Sequence, residues 1–343
     1  MSGSGQQVDP IALTLGDPAG IGGEIATRAW HATRKNGAPF FIVGDIEHAV
    51  DTATMIGLEA PVRELSNLQN AADVFREALP IVPLSRRVEG RPSRPMDSDA
   101  ACVIESIERA TALCREGLAR AVVTNPINKK RLYGAGFRFP GHTEFIADLC
   151  GSPGAVMMLA APDLRVVPVT IHLPLRDAVS SLTTEEIVRV GRIAADALRA
   201  DFGIAAPRIA VSGLNPHAGE EGALGNEDED IIRPAVHALR SAGIEAEGPV
   251  PGDALFTPRR RATFDAAVCM YHDQALIPIK ALDFDRAVNV TLGLPIVRTS
   301  PDHGTAFDIA GRGIAQPDSL IAALAMADAI AAHRAVARRP RNA

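Results

Sequence analysis

Aromatic residues are scarce in this 343-residue chain: eleven Phe, two Tyr and one Trp make up 4% of it. Little is left for the platforms on which bases of a single-stranded nucleic acid stack. An excess of basic charge is also missing. Against 41 Asp and Glu stand 35 Lys and Arg, a formal net charge of −6, so the chain as a whole does not attract a polyanion and nucleic acid is not an expected partner. Cys102, Cys114, Cys150 and Cys269 are scattered without C-x-x-C spacing, which argues against a disulfide framework and a thiolate zinc site. No run reaches the ~18 consecutive apolar residues of a membrane span, and the polar opening Met1 to Gln7 lacks a signal-like pattern. The expected location is the cytoplasm, with no membrane partner. The usual nucleotide signatures are absent too. Gly16-Asp-Pro-Ala-Gly20-Ile-Gly22-Gly23 is not G-x-G-x-x-G, and there is neither a P-loop nor a G-x-S-x-G elbow. A dinucleotide bound by this chain is not held through the Rossmann fingerprint.

What is present is an ordinary globular composition, 47% hydrophobic and 22% charged, in a length that suggests about two domains. With few aromatics, the cores must be built from Ala, Val, Ile and Leu. Short apolar runs at 11–15, 40–44, 121–126, 155–159, 166–171, 209–213 and 266–270 read as strands. Helical patterns fall at about 24–34, 46–56, 98–118, 183–200 and 318–335. Thr183 or Thr184 is the natural cap of the fourth, with Glu185 and Glu186 favourably placed in its first turn. The Pro- and Arg-rich stretch from Val82 to Met96 reads as a loop, and the Arg-Arg-Pro-Arg tail as loose. Strands alternating with helices predict an α/β architecture on a largely parallel sheet.

In such sheets ligands bind beyond the carboxyl ends of strands. His172, His217 and His272 each stand at or just past such an end, 45 and 55 residues apart. Three imidazoles with an open position suit Zn²⁺ or a similar divalent ion. Asp273 is placed to be a further ligand or an acceptor that orients an imidazole. Read singly, each histidine is as well explained as a satisfied polar residue at a strand end. Pro140-Gly-His142-Thr143-Glu144 reads as a helix start with Thr143 as the cap and backbone N–H groups facing an anion, or simply as a capped helix. Lys280, Asn289 and Arg298 lie on a segment rich in Pro, Gly and Thr; Lys and Arg there suit a phosphate or carboxylate, or an exposed surface.

Several long motifs then occur in one order: Leu13 to Gly22, Gly141-His-Thr-Glu144, Asn215 to Glu220, Leu224-Gly-Asn-Glu227, Tyr271-His-Asp-Gln274, Asn289 to Pro295 and Arg298 to Gly311. Together they resemble the 4-hydroxythreonine-4-phosphate dehydrogenase family of pyridoxal 5′-phosphate biosynthesis, over nearly the whole chain. The resemblance implies a two-domain α/β/α fold of the isocitrate/isopropylmalate dehydrogenase type, with the active site in the inter-domain cleft. The expected domains are 1–134 with 300–343 on the cofactor side, and 135–299 for metal, substrate and dimerisation. It further implies a homodimer using NAD or NADP and one divalent metal (Zn, Co or Mg). His172, His217 and His272 match the metal ligands, with His272 contributed across the interface. His142, Thr143, Lys280, Asn289 and Arg298 match substrate-binding positions. His303, Gly304 and Asp308 would lie along the cofactor, and Asp253, Asp273 and Lys280 form the set from which the general base is drawn. The reaction implied is oxidation of 4-phosphohydroxy-L-threonine at its C3 hydroxyl, with the metal as Lewis acid, followed by decarboxylation. Dehydrogenation of 4-phospho-D-threonate, 4-phospho-D-erythronate or an aromatic cis-dihydrodiol fits the same motifs. A metallohydrolase or a non-catalytic metal- or phosphate-binding module are the readings of another class.

Overall fold

The structure is a computed structural model and describes residues 9–338; the polar opening stretch and the tail beyond Arg338 lie outside the described residues. The chain forms two compact units. One takes the residues up to Pro153 together with Leu294–Ala331, the other Gly154–Gly293 with those from Ala332 on.

The first unit holds β1 (Ile11–Thr14), β2 (Phe40–Gly44), β3 (Val62–Glu64), β4 (Leu79–Pro83) and β5 (Ala121–Val123). The second holds β6 (Val156–Ala161), β7 (Leu164–Pro168), β8 (Arg208–Ser212), β9 (Glu245–Val250), β10 (Ala266–Cys269) and β11 (Val288–Leu292). The chain then returns to the first unit as β12 (Arg298–Pro301). The first unit's helices are α1 (Gly22–Thr33), α2 (Ile46–Met55), α3 (Ala71–Glu77), α4 (Ala100–Arg115), α5 (Lys129–Gly134) and α6 (His142–Leu149). The second's are α7 (Leu175–Ser181), α8 (Thr184–Ala200), α9 (Arg233–Ser241), α10 (Gly252–Leu255), α11 (Pro258–Arg261) and α12 (His272–Asp283), and α13 (Asp318–Arg338) closes the chain.

In the first unit the strand order is β3-β4-β2-β1-β5-β12, every pair parallel. All residues of β1, β2 and β5 are buried, as a parallel sheet covered by helices requires of its strands. Their continuous apolar runs, rather than alternation, are what made them legible. The single Trp30, on α1, is buried and donates its ring N–H to the Phe75 carbonyl of α3 at 2.7 Å, so the one indole is structural.

The second unit keeps the expected, largely parallel pairing over β7, β10, β8 and β9 and adds two antiparallel strand pairs. Its order is β11-β6-β7-β10-β8-β9, and both the β11–β6 and β6–β7 pairs are antiparallel. Only Pro162 and Asp163 separate β6 from β7. A parallel pair needs a crossover of a dozen residues or more, so a hairpin is the only pairing this link allows. The helix read over 183–200 is α8, with Thr183 as its cap accepting from the Glu186 amide at 3.2 Å. The Val82–Met96 loop begins two residues late, since β4 runs to Pro83.

Helix α13 alone among the described helices is long and apolar enough to cross a membrane. Here it packs as a core helix: Leu320, Ala323, Leu324, Ala327 and Ile330 are buried, and Thr299 donates to the Ala323 carbonyl at 2.8 Å. Its last turn belongs to the second unit. There Arg334 grips the buried Asp201 carboxylate with Nε at 2.6 Å and Nη2 at 2.9 Å. Removing one partner of a buried pair strands the other's charge. Replacing Arg334 by Ala is expected to cost about 3 kcal/mol, read as a lower urea midpoint for loss of the second unit's structure; Asp201→Asn together with Arg334→Met should recover much of that loss.

Candidate active site

The residues picked out in the sequence divide between the units. In the first, the 142–144 segment does start a helix, but two residues earlier than expected. Gly141 is the cap of α6 and His142, not Thr143, opens it. Arg298 opens β12, is buried, and donates to the Thr124 hydroxyl at 2.7 Å. Burial lowers the Arg298 guanidinium to about 10, with Glu144 pulling the other way. The His142 imidazole is held well below its ordinary value, first by burial and then by the positive charges of Arg298 and Lys129. Its Nε2 is buried and has no hydrogen-bond partner among the described residues. A buried cation, a second cation and an imidazole with an unmet nitrogen are groups of the kind that hold an anion.

The 302–315 loop follows β12 in the same unit. Ile21 donates its amide to the Thr305 carbonyl at 2.9 Å, and the Ser93 hydroxyl lies 2.6 Å from the Phe307 carbonyl and 3.0 Å from that of Ala310. The buried Glu24 of α1 accepts the amides of Gly311 at 3.0 Å and Ala315 at 2.9 Å, and Arg28 donates to the Gly313 carbonyl at 2.7 Å. On this fixed loop His303 Nδ1 lies 3.0 Å from the Gly304 carbonyl, while its Nε2 is buried without a partner among the described residues. A Cβ added at Gly304 would meet nothing within 4 Å, and Asp308 is exposed. The loop thus holds a buried imidazole nitrogen without a partner among the described residues and, next to it in sequence, a glycine with open space where a side chain would be.

In the second unit the strand leading to His172 ends at Pro168. Backbone bonds from Val169 to Cys269 (2.8 Å) and from Thr170 to Met270 (3.3 Å) carry the pairing on, so His172 stands two residues past the last of them. His172 and His217 both have φ of 53°, the left-handed region in which a residue with a Cβ costs about 1–2 kcal/mol. Such outliers persist only where the surroundings impose them. The His172 and His272 rings lie 5.9 Å apart by centroid, and His272 Nδ1 is 3.2 Å from Asp273 Oδ1. His217, Asp253 and Asp273 line one pocket of about 610 Å³, together with Tyr271 and Gln274. Gln274 ties the two sides of this pocket: Nε2 donates to the Gly213 carbonyl and Oε1 accepts the Met270 amide, both at 2.7 Å. Lys280 lies farther along α12, its Nζ 5.8 Å from the Phe284 ring centroid. Asn289, on β11, is half-buried with its Oδ1 lacking a partner among the described residues.

Among the described residues no three His, Cys, Asp or Glu side chains converge to hold an ion. A structural or catalytic zinc takes at least three protein ligands, and the His172–His272 pair is only part of such a set.

The α/β chain thus carries a buried Arg298 near His142 and Lys129 in one unit and a pocket lined by a histidine and two aspartates in the other. Comparison with known proteins gives the class. The family model for "Pyridoxal phosphate biosynthetic protein PdxA" matches residues 36–327. The 4-hydroxythreonine-4-phosphate dehydrogenase of Caulobacter vibrioides is 55% identical, over 95% of this chain and 99% of that one. A crystal structure of the Klebsiella pneumoniae 4-hydroxythreonine-4-phosphate dehydrogenase superposes with a TM-score of 0.85 at 38% identity, covering 94% of this chain and 99% of that one. A terephthalate 1,2-cis-dihydrodiol dehydrogenase from Burkholderia xenovorans follows at 0.65 and 29%, covering 94% and 98%. The chain is therefore an enzyme of the dehydrogenase class. It belongs to the PdxA family of pyridoxal phosphate biosynthetic proteins.

Sequence reasoning passed over Thr124, Lys129, Gln274, Glu24 and Asp228. Gln274 lay inside a quoted motif, and Asp228 immediately follows another.

Because the neutral form of His142 is favoured in the fold, the unfolded chain binds a proton more readily. Stability is then full above the ordinary histidine value of about 6.5 and is lost as pH falls below it, at up to about 1.4 kcal/mol per pH unit. Urea unfolding at pH 7 and at pH 5 should show a smaller loss in His142→Gln than in the unsubstituted protein. An equal loss in both would show that His142 does not titrate as described.

Proposed function

We propose that this protein oxidises 4-phosphohydroxy-L-threonine at C3 with NAD or NADP, giving 2-amino-3-oxo-4-phosphonooxybutanoate. Loss of the carboxylate, whose electrons the new ketone accepts, then yields 3-amino-2-oxopropyl phosphate for pyridoxine and pyridoxal phosphate synthesis in the cytoplasm. The observation that carries this reading is the buried Arg298 beside His142 and Lys129, in a chain 55% identical to a named 4-hydroxythreonine-4-phosphate dehydrogenase. In this reading Arg298, His142 and Thr143 bind the substrate's anionic groups, and Lys280 and Asn289 complete its orientation. Holding the C3–H bond in line with the acceptor is where positioning lowers the barrier. Asp253 and Asp273, which share the pocket with His217, stand beside Lys280 as the groups to take the hydroxyl proton. NAD or NADP, when bound against His303, Gly304 and Asp308, supplies the hydride acceptor.

The reading also makes the protein a homodimer in which His172 and His217 of one chain and the partner's imidazole at position 272 hold a divalent ion, Zn, Co or Mg. An exposed apolar stripe supports it. Ile277 and Phe284 lie at 64% and 61% exposure on and just after α12, the helix that His272 opens, and large exposed apolar side chains in one patch mark an association surface. His172 and His272 of one chain also lie side by side, so a site completed within one chain is the arrangement to be distinguished. Mixed dimers of His172→Ala and His272→Ala subunits decide between them. Restored turnover is expected, and none in verified heterodimers would place all three ligands on one chain.

The substrate is tested directly. Protein with the phosphorylated hydroxythreonine and NAD⁺ or NADP⁺ should generate NAD(P)H absorbance. No turnover with either cofactor in Mg²⁺, Co²⁺ or Zn²⁺ would defeat the reading, and a higher kcat/KM for a phosphothreonate, phosphoerythronate or cis-dihydrodiol would reassign the substrate. Arg298→Met should raise KM for the phosphorylated substrate about 10- to 100-fold, since a hydrogen bond to a charged group contributes roughly 1.5–3 kcal/mol.

A further inference from the structure

The segment that carries His217 is built in an unusual way. Five consecutive residues, His217 to Glu221, have φ between 45° and 79°, and only Gly219 among them lacks a Cβ. Side chains rarely adopt this conformation, and never in runs without outside support. The support is a carboxylate. Asp228 is fully buried and carries no salt bridge to a cation among the described residues; its Oδ1 accepts the Leu214 amide at 2.8 Å, and its Oδ2 accepts the Asn215 amide at 3.0 Å and the Asn215 side-chain amide at 3.1 Å. Glu227 takes the same Asn215 side chain at 2.8 Å. The approach is too close for any side chain in between. A Cβ at Gly213 would come within 2.9 Å of Asp228 Oδ1 and of the Ala218 Cβ, and one at Gly219 within 2.8 Å of the Gly225 carbonyl. His217 itself is exposed and lines the 610 Å³ pocket, so the conformation of its backbone bears directly on where its ring is presented.

We infer that Asp228 is a positioning residue: it fixes the left-handed turn from which His217 reaches the pocket. The kinetic part rests on the function proposed above, in which His217 acts in that pocket. An acceptor-only carboxylate is what three converging N–H donors require. Asparagine keeps the shape but turns one acceptor into an N–H facing another N–H, which leaves buried donors unmet.

Asp228→Asn, His217→Ala and the double variant test this, each in the full chain. In Asp228→Asn, hydrogen exchange of the Leu214 and Asn215 amides, read by mass spectrometry, should rise about tenfold or more, since buried donors lose their acceptor, while the chain stays folded with a thermal midpoint lowered by only a few degrees. NAD(P)-linked kcat/KM should fall about 10- to 100-fold, as when a group orienting a functional histidine is lost. The double variant should be no slower than His217→Ala alone, because two changes acting through one group do not add. Unchanged exchange at 214 and 215 overturns the inference, as does unchanged kcat/KM in the presence of raised exchange, or a fully additive double variant. If His217→Ala is fully active while exchange still rises in Asp228→Asn, the role given to His217 falls and the hold of Asp228 on the turn stands. Should Asp228→Asn fail to fold, Asn215→Ala removes one of the three bonds and must show the same changes at smaller size; no change in either measurement would again overturn the inference.

Discussion

Loops that run from the ends of buried strands carry backbone N–H groups into regions water does not reach, and each must find an acceptor. In this protein carboxylates supply them in pairs. Glu24 takes the amides of Gly311 and Ala315, Asp99 those of Glu89 and Gly90, Asp45 those of His48 and Val88, and Asp228 those of Leu214 and Asn215. Two oxygens on a short stem can satisfy two adjacent donors at once, which a hydroxyl or a single carbonyl does less well. Each carboxylate fastens a segment that would otherwise be free to choose among many conformations. Two of those segments, the 302–315 loop and the turn at 213–222, carry candidate site residues. The regular elements give the chain its cores; these staples decide where the residues between the elements come to rest.

The parts of the fold that depend on local pattern could be read from the sequence. Thr183 as a cap, the apolar runs of β1, β2 and β5, and the helix at 318–335 follow from residue type and spacing alone. The apolar runs at 155–159 and 166–171 leave six residues between them and do not display the β6–β7 hairpin; in the structure the strands extend toward each other until two residues join them. Short strands such as Val62–Glu64, partly exposed and charged, have no periodicity to detect. The histidines are legible from their position after strands, and the family motifs contain or adjoin the same positions. Their left-handed backbone was not legible, since nothing in His172 or His217 as residue types signals it. Asp228 follows a recognised motif by one residue, but its bonds to 214 and 215 are a product of folding, and no spacing rule connects them.

The acidic total of the chain and the anion it is proposed to bind are compatible for a reason of scale. Exposed charges act through water and salt and fade within about a Debye length. Arg298 is buried, where its charge is little screened, and His142 and Lys129 share its surroundings. Burial works against the guanidinium as well, lowering it to about 10, yet it stays protonated at neutral pH. Arg298 and Lys129 thus set positive charge beside His142 whatever the sum over the surface.

The return of the chain to its first unit has a consequence for how the molecule is made. Strands β6 to β11 all lie between Gly154 and Gly293, so on the ribosome they can pair as soon as that stretch emerges. The first unit cannot finish: β5 lacks β12 on its open side, and Glu24 lacks both amides it will accept. At roughly 5–20 residues per second, the first 153 residues wait on the order of ten seconds with an unpaired edge and buried-to-be apolar strands exposed. Vectorial synthesis thus lets the strands of the second unit pair before the sheet of the first is closed, and the last turn of α13 reaches Asp201 only after both.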